Sequence, residues 1–90
     1  MSFKDDVESI CDDIAEMLVQ KNEAYGNSAM EPVRVFSKAS ALEQLYVRID
    51  DKLSRLQKGS EYPGDDTIDD LIGYLILLKI KLNQQRGVNE

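Results

Sequence analysis

The chain from residue 66 reads Asp66-Thr67-Ile68-Asp69-Asp70-Leu71-Ile72-Gly73-Tyr74 and continues as Leu75-Ile76-Leu77-Leu78. Acidic residues at the start of such a segment favour a helix N-terminus, because carboxylates cap its free N–H groups and interact favourably with its dipole. The residues that follow are apolar nearly all round the helix, which is typical of a buried helix. This segment therefore predicts a buried helix from about Asp65 to Gln85.

Asp70 is the residue of this helix that capping does not explain, because it lies deeper than Asp66 and precedes the apolar run. A carboxylate on a buried helix needs a cation, a metal or several hydrogen bonds. Spacing of four residues places Asp66, Asp70 and Tyr74 on one edge of the helix. Three arrangements compete: a salt bridge from Lys52, Arg48 or Arg55; Mg²⁺ shared with Asp66, Asp50 and Glu43; and a ligand bound directly by Asp70 and Tyr74.

Two further helices are predicted earlier in the chain. The first spans about residues 3–25 and stops at Gly26 and Asn27, and the second spans about residues 39–58, with Ser40 as its N-cap. Their apolar residues recur at helical spacing. In the first helix these are Val7, Ile10, Cys11, Ile14, Met17 and Leu18, and in the second Leu42, Leu45, Ile49, Leu53 and Leu56. The predicted fold class is all-α: a bundle of three main helices, with a possible short helical turn near residues 32–38. We expect other copies of the chain to complete this bundle.

Composition bounds the functions that this chain can have. Ninety residues predict a single domain, 1–90, whose limited burial favours a homo-oligomer, a dimer or larger. A net charge of −6 argues against a nucleic-acid polymer as the partner. The absence of histidine excludes histidine-based acid–base chemistry and zinc sites. A single cysteine and the lack of a long apolar or targeting segment predict a cytoplasmic protein without a membrane partner.

The loop between the first two helices is locally basic. It carries Arg34 and Lys38 in an otherwise acidic chain. Loops of about 12 residues without regular structure are uncommon in compact domains and are often functional. We therefore expect this loop to attract a phosphate group.

Three ordered motifs resemble a known family. Residues 21–28 read K-N-E-A-Y-G-N-S, residues 48–56 read R-I-D-D-K-L-S-R-L and residues 66–74 read D-T-I-D-D-L-I-G-Y. Together they resemble a small phage and bacterial family known as nucleotide modification associated domain 1. That family is similar in turn to the all-α nucleoside triphosphate pyrophosphatases of the MazG and dimeric dUTPase type. Those enzymes usually carry paired glutamates on an earlier helix, where this chain has only Glu43.

The resemblance implies an all-helical oligomer in which carboxylates hold Mg²⁺ or Mn²⁺ and water attacks a triphosphate. It implies metal ligands at Asp66, Asp70 and Asp50, with Asp51 as the alternative on the second helix, and Asp70 or Asp51 as the general base. Phosphate charge would be neutralised by Lys21, Arg48, Lys52 and Arg55. Tyr25 or Tyr74 would stack on a base or ribose, and Asn27 and Ser28 would donate or accept hydrogen bonds.

Three hypotheses for function follow. The first is a phage-type, Mg²⁺-dependent nucleoside triphosphate pyrophosphohydrolase. The second is a protein that binds and sequesters a nucleotide or a nucleotide-derived signal without hydrolysing it, as an anti-defence protein would. The third is a helical interaction protein whose charged residues form ion pairs between subunits.

Overall fold

The computed structural model describes residues 2–59 and 66–87. Within these ranges the chain forms three α-helices and no strand: α1 (Phe3–Tyr25), α2 (Ala41–Lys58) and α3 (Thr67–Gln85). The all-α prediction is confirmed, and each predicted helix boundary lies within two residues of the observed one. Asp65, at which the third helix was predicted to begin, lies outside the described residues.

Local sequence signals set the helix ends. Ser40 accepts a hydrogen bond from the backbone N–H of Glu43 at the start of α2, and Asp66 accepts one from that of Asp69 at the start of α3. Ser40 is the predicted N-cap of α2, and Asp66 is one of the acidic residues predicted to cap α3. α1 ends at Gly26, whose φ of 64° is the left-handed conformation that glycine adopts without a Cβ penalty. A capping box between Ser2 and Asp5 also starts α1, which the sequence analysis had not identified.

α3 is the helix on which the other two pack, and it contacts α2 more extensively than α1. Among the described residues, the buried hydrophobic side chains are Ile14 of α1 and three residues of α2: Ala41, Leu45 and Ile49. At Gly73 the helices α1 and α3 approach closely, since a Cβ built there would lie 3.1 Å from Leu18 Cδ2. The glycine in the apolar run thus permits the α1–α3 contact.

The predicted core stripe of α2 is wrong at its C-terminal end. Leu53 and Leu56 are exposed over 49% and 39% of their areas, whereas only 9% of the area of Lys52 is exposed. The physical reason is electrostatic: Asp70 of α3 faces α2, and the lysine ammonium pairs with it. Lys52 therefore occupies the side of α2 that meets α3, and Leu53 lies about 100° further round the helix. Leu56 lies on the same side as Lys52 but in the last turn of α2, where it is exposed.

Other predicted features also differ from the structure. Of the apolar positions predicted on α1, Val7, Ile10 and Cys11 are exposed, because α3 covers only the second half of this helix. The apolar side of α3 is likewise only part-buried within the chain, with Leu75 exposed over 47% of its area. Residues 32–38 contain no helical turn, and the hydrogen-bonded turns lie earlier, at residues 26–30.

Candidate functional site

A cleft of about 140 Å³ lies where α1, the turn after it, α2 and α3 meet. Its floor is apolar, and its walls carry two cations, one carboxylate and two tyrosines. The residues that line it are Met17, Leu18, Lys21, Asn22, Tyr25, Ser28, Ala29, Arg48, Asp70, Gly73, Tyr74 and Leu77. The three sequence motifs therefore converge at one place in the fold.

Asp70 is held between two lysines at the edge of this cleft. Its Oδ2 lies 3.2 Å from the Nζ of Lys52, and its Oδ1 lies 3.3 Å from the Nζ of Lys21. The side chains of Asp70 and Lys52 are only 17% and 11% exposed, whereas that of Lys21 is 52% exposed. Lys52 thus neutralises Asp70 from inside, and Lys21 bridges the carboxylate to the open side of the cleft. The predicted salt bridge from Lys52 is the arrangement that the structure contains.

Arg48 and Tyr74 form another part of the cleft lining. Nη1 of Arg48 donates a hydrogen bond of 3.5 Å to the hydroxyl of Tyr74, and its guanidinium carbon lies 5.9 Å from the centre of the ring. The first distance is at the long end for a hydrogen bond, and the second is within cation–π range. The guanidinium is therefore placed beside the cleft by weak contacts that a ligand can replace.

The turn after α1 closes one end of the cleft. The amide of Asn27 donates to Glu31 at 2.9 Å, and Lys81 of α3 donates to the carbonyl of Met30 at 3.2 Å. The first contact stabilises the turn, and the second holds it against α3. As a result Ser28, between them, contributes to the lining of the cleft.

The structure brings together six of the residues predicted from sequence to bind ligand or metal: Lys21, Tyr25, Ser28, Arg48, Asp70 and Tyr74. Lys52 lies behind Asp70 rather than on the surface of the cleft. Arg55 pairs with Asp51 at 3.4 Å along α2, which is an ordinary i,i+4 surface pair. Asn27 bonds Glu31 instead of facing the cleft.

The predicted metal ligands are not gathered into one group. In residues 2–59 and 66–87, no set of three or more Asp, Glu or Cys side chains is arranged to hold a metal ion. Asp50 is two residues from Lys52, so it lies about 200° round α2 from the side that faces Asp70. Both oxygens of Asp70 already contact lysines. These residues do not fit a resident Mg²⁺ or Mn²⁺, and the metal assignment stays a prediction.

The carboxyl of Asp69, at the start of α3, has a raised pKa. Partial burial raises the pKa of its carboxyl above the ordinary value of 3.8, and the nearby carboxylate of Asp66 raises this pKa further. Asp70 and Asp13 act in the same direction. The start of α3 is therefore a place where negative charge accumulates, beside the cationic cleft.

Sequence reasoning missed several residues of the cleft. Met17, Leu18 and Leu77, which the apolar pattern places among the packing residues, form its apolar floor. Gly73 carried a usable signal, because a glycine inside an apolar helix costs stability and often marks a close approach. Asn22 lies within the first motif and carried no separate signal.

Comparison of the chain with models of protein families, with curated proteins and with solved structures gives no match. The family resemblance thus rests on the three motifs and stays a prediction.

Proposed function

We propose that this protein binds a nucleotide or a nucleotide-derived small molecule in the cleft between α1 and α3, and that it does so without hydrolysing it. The observation that carries the proposal is the pairing of Asp70 with both Lys21 and Lys52. With its carboxylate neutralised, Asp70 leaves the cleft positively charged in a protein whose net charge is −6. An anionic ligand is attracted to such a cleft.

The rest of the lining suits a ligand that has a flat ring as well as a phosphate. Tyr25 and Tyr74 offer aromatic faces, and Leu18 and Leu77 offer an apolar floor for a base or ribose. Lys21 and Arg48 line the same cleft and can donate to phosphate oxygens. Because one small cavity combines aromatic, apolar and cationic groups, the cleft favours a nucleotide over a simple anion.

The direct test is isothermal titration of the purified chain with a panel of nucleoside triphosphates and cyclic nucleotides, with Mg²⁺ and separately with EDTA. We expect binding in both buffers, and recovery of the unchanged compound after the protein is denatured. Absence of binding across the panel would refute the proposal and favour the third hypothesis, a helical interaction protein.

Matched variants locate the binding site. Lys21→Gln should weaken binding roughly tenfold, since a charge-assisted hydrogen bond contributes about 1.5–3 kcal/mol. Lys79→Gln removes the same charge from an exposed position on α3 outside the cleft lining and should have little effect. In the same way, Arg48→Gln should weaken binding and Arg55→Gln should not. Equal effects within either pair would mean that the ligand binds elsewhere or only through net charge.

Hydrolysis of a nucleoside triphosphate is the second candidate function. It is favoured by three carboxylates at the start of α3. Asp66 and Asp70 lie close enough to Asp69 to raise the pKa of its carboxyl. The triphosphate would arrive with its own Mg²⁺ as part of the substrate. Chromatography after incubation separates the two functions, because conversion to a monophosphate and pyrophosphate would establish the enzyme, and Asp70→Asn should then abolish it.

Self-association is a part of the proposal. The described residues bury only four hydrophobic side chains, and the first half of α1 exposes Phe3, Val7 and Ile10 over 84%, 41% and 55% of their areas. These positions continue, at spacings of four and three, the stripe through which Ile14 packs on α3. A second copy can cover this stripe as helices do in coiled coils. Light scattering should give a dimer or larger, and Ile10→Glu should shift it towards monomer.

In the described part of the chain, no helix has the length and apolar character needed to cross a bilayer. We propose that the protein acts in the cytoplasm, where nucleotides are abundant.

A further inference from the structure

A second cavity shares part of its lining with the cleft. It has a volume of about 320 Å³ and lies between the loop after α1 and the start of α2. The two cavities share Ser28 and Arg48 in their linings. The cleft alone is smaller than the roughly 300–1,000 Å³ typical of small-molecule sites, and the two cavities joined fall within that range. A ligand that spans Arg48 would therefore be better accommodated than one confined to the cleft.

The second cavity is chemically different from the cleft. Its polar lining consists of Arg34, Arg48, Ser28, Ser37 and Gln44, and within the described residues it contains no carboxylate. Arginine guanidinium groups match the geometry of phosphate oxygens, and serine hydroxyls can donate to them as well. Two arginines in a lining without a carboxylate favour an anion in this acidic protein.

Arg34 has an unusual backbone conformation. Its φ of 58° lies in the left-handed region, which residues other than glycine, asparagine and aspartate seldom adopt. The residues around it are open to solvent, with Val33 and Phe36 exposed over 81% and 97% of their areas. Backbone in sparsely populated conformations is concentrated at active sites and ligand-binding segments. Here it places an arginine at the cavity that adjoins the cleft.

We propose that Arg34 and Arg48 form a second anion subsite for the outer phosphates of a ligand whose ring lies in the cleft. The protein would then select nucleoside triphosphates over the corresponding monophosphates, with Arg34 as the residue that determines this preference. This inference rests on the proposed function of the cleft. It adds the number of phosphates, which the cleft by itself does not specify.

The experiment compares three forms of the full chain: wild type, Arg34→Asn and Lys38→Asn. Asparagine removes the cation and also tolerates the left-handed conformation, so the loop keeps its shape in the first variant. Lys38 is an exposed cation of the same loop that lines neither cavity, and it controls for net charge. Each form is titrated with the mono- and triphosphate of each common base and with inorganic tripolyphosphate, at constant ionic strength and in EDTA.

We expect the wild type to bind the triphosphate at least tenfold more tightly than the monophosphate. Arg34→Asn should reduce this ratio to less than about threefold, with monophosphate affinity unchanged within twofold, and Lys38→Asn should leave the ratio as it is. An unchanged ratio in Arg34→Asn, or equal binding of the two nucleotides by the wild type, would overturn the subsite while leaving nucleotide binding intact.

Inorganic tripolyphosphate separates failure of the subsite from failure of the proposed function. If no nucleotide binds but tripolyphosphate binds and Arg34→Asn weakens it, the subsite stands and the nucleotide function is wrong. If neither nucleotides nor tripolyphosphate bind, both proposals are overturned.

Discussion

Replacement of Asp70 by asparagine tests the electrostatic link between α2 and α3. The substitution keeps the shape of the side chain and removes the charge that faces Lys52, whose side chain is only 11% exposed. Loss of one partner from a buried ion pair costs about 3–5 kcal/mol, because the other charge stays buried without compensation. Asp70 and Lys52 retain slight access to water, so we expect a smaller loss of about 2–3 kcal/mol.

This loss is large for so small a protein. A chain of 90 residues has a total stability of roughly 5–13 kcal/mol, at about 0.05–0.15 kcal/mol per residue. Urea unfolding followed by circular dichroism should therefore show a decrease of roughly 1–2 M in the midpoint of Asp70→Asn. Asp51→Asn is the matched control, because it breaks the exposed pair with Arg55 and should cost at most about 0.5 kcal/mol.

A double-mutant cycle identifies the mechanism. Lys52→Met alone leaves Asp70 without its inner partner, although Lys21 still contacts it. The double variant, Lys52→Met with Asp70→Asn, removes both buried charges. Its loss of stability should be smaller than the sum of the two single losses by at least about 1 kcal/mol. The reasoning is refuted if Asp70→Asn costs no more than Asp51→Asn, or if the losses in the cycle simply add.

Three further predictions concern helix ends and helix contact. The pKa of Asp69 is raised in the folded protein, so stability is lost as pH rises through that pKa. Asp69→Asn should therefore have a higher urea midpoint than wild type at pH 7, and this difference should disappear below pH 3.8. Ser40→Ala should lower the free energy of unfolding by about 1 kcal/mol through loss of the α2 N-cap, with unchanged circular dichroism at 25 °C. Gly73→Val should cost about 1–3 kcal/mol in thermal unfolding, because the new Cβ would lie 3.1–3.2 Å from Leu18 and Met17. A more stable valine variant would mean that α1 can move away from α3.

The helices themselves could be predicted because their signals are local. Ser40 and Asp66 satisfy N–H groups within one turn of their own position, and Gly26 adopts its left-handed conformation without help from distant residues. The need of Asp70 for a partner could also be inferred, since an isolated carboxylate on an apolar helix is too costly. Composition and periodicity thus determined the all-α class, the number of main helices in the described ranges and the presence of a polar site at the third motif.

What the sequence could not determine was which side of each helix meets its neighbour. Periodicity assigned Leu53 and Leu56 to the core of α2, but Lys52 pairs with Asp70 on the side of α2 that meets α3, and both leucines are exposed. It also could not show that Arg48 would lie beside Tyr74, 26 residues along the chain, or that it would line two cavities. A hydrophobic stripe fixes only that a face is buried, whereas the choice among cations for one carboxylate depends on how the helices rotate and cross, and only the tertiary structure sets those.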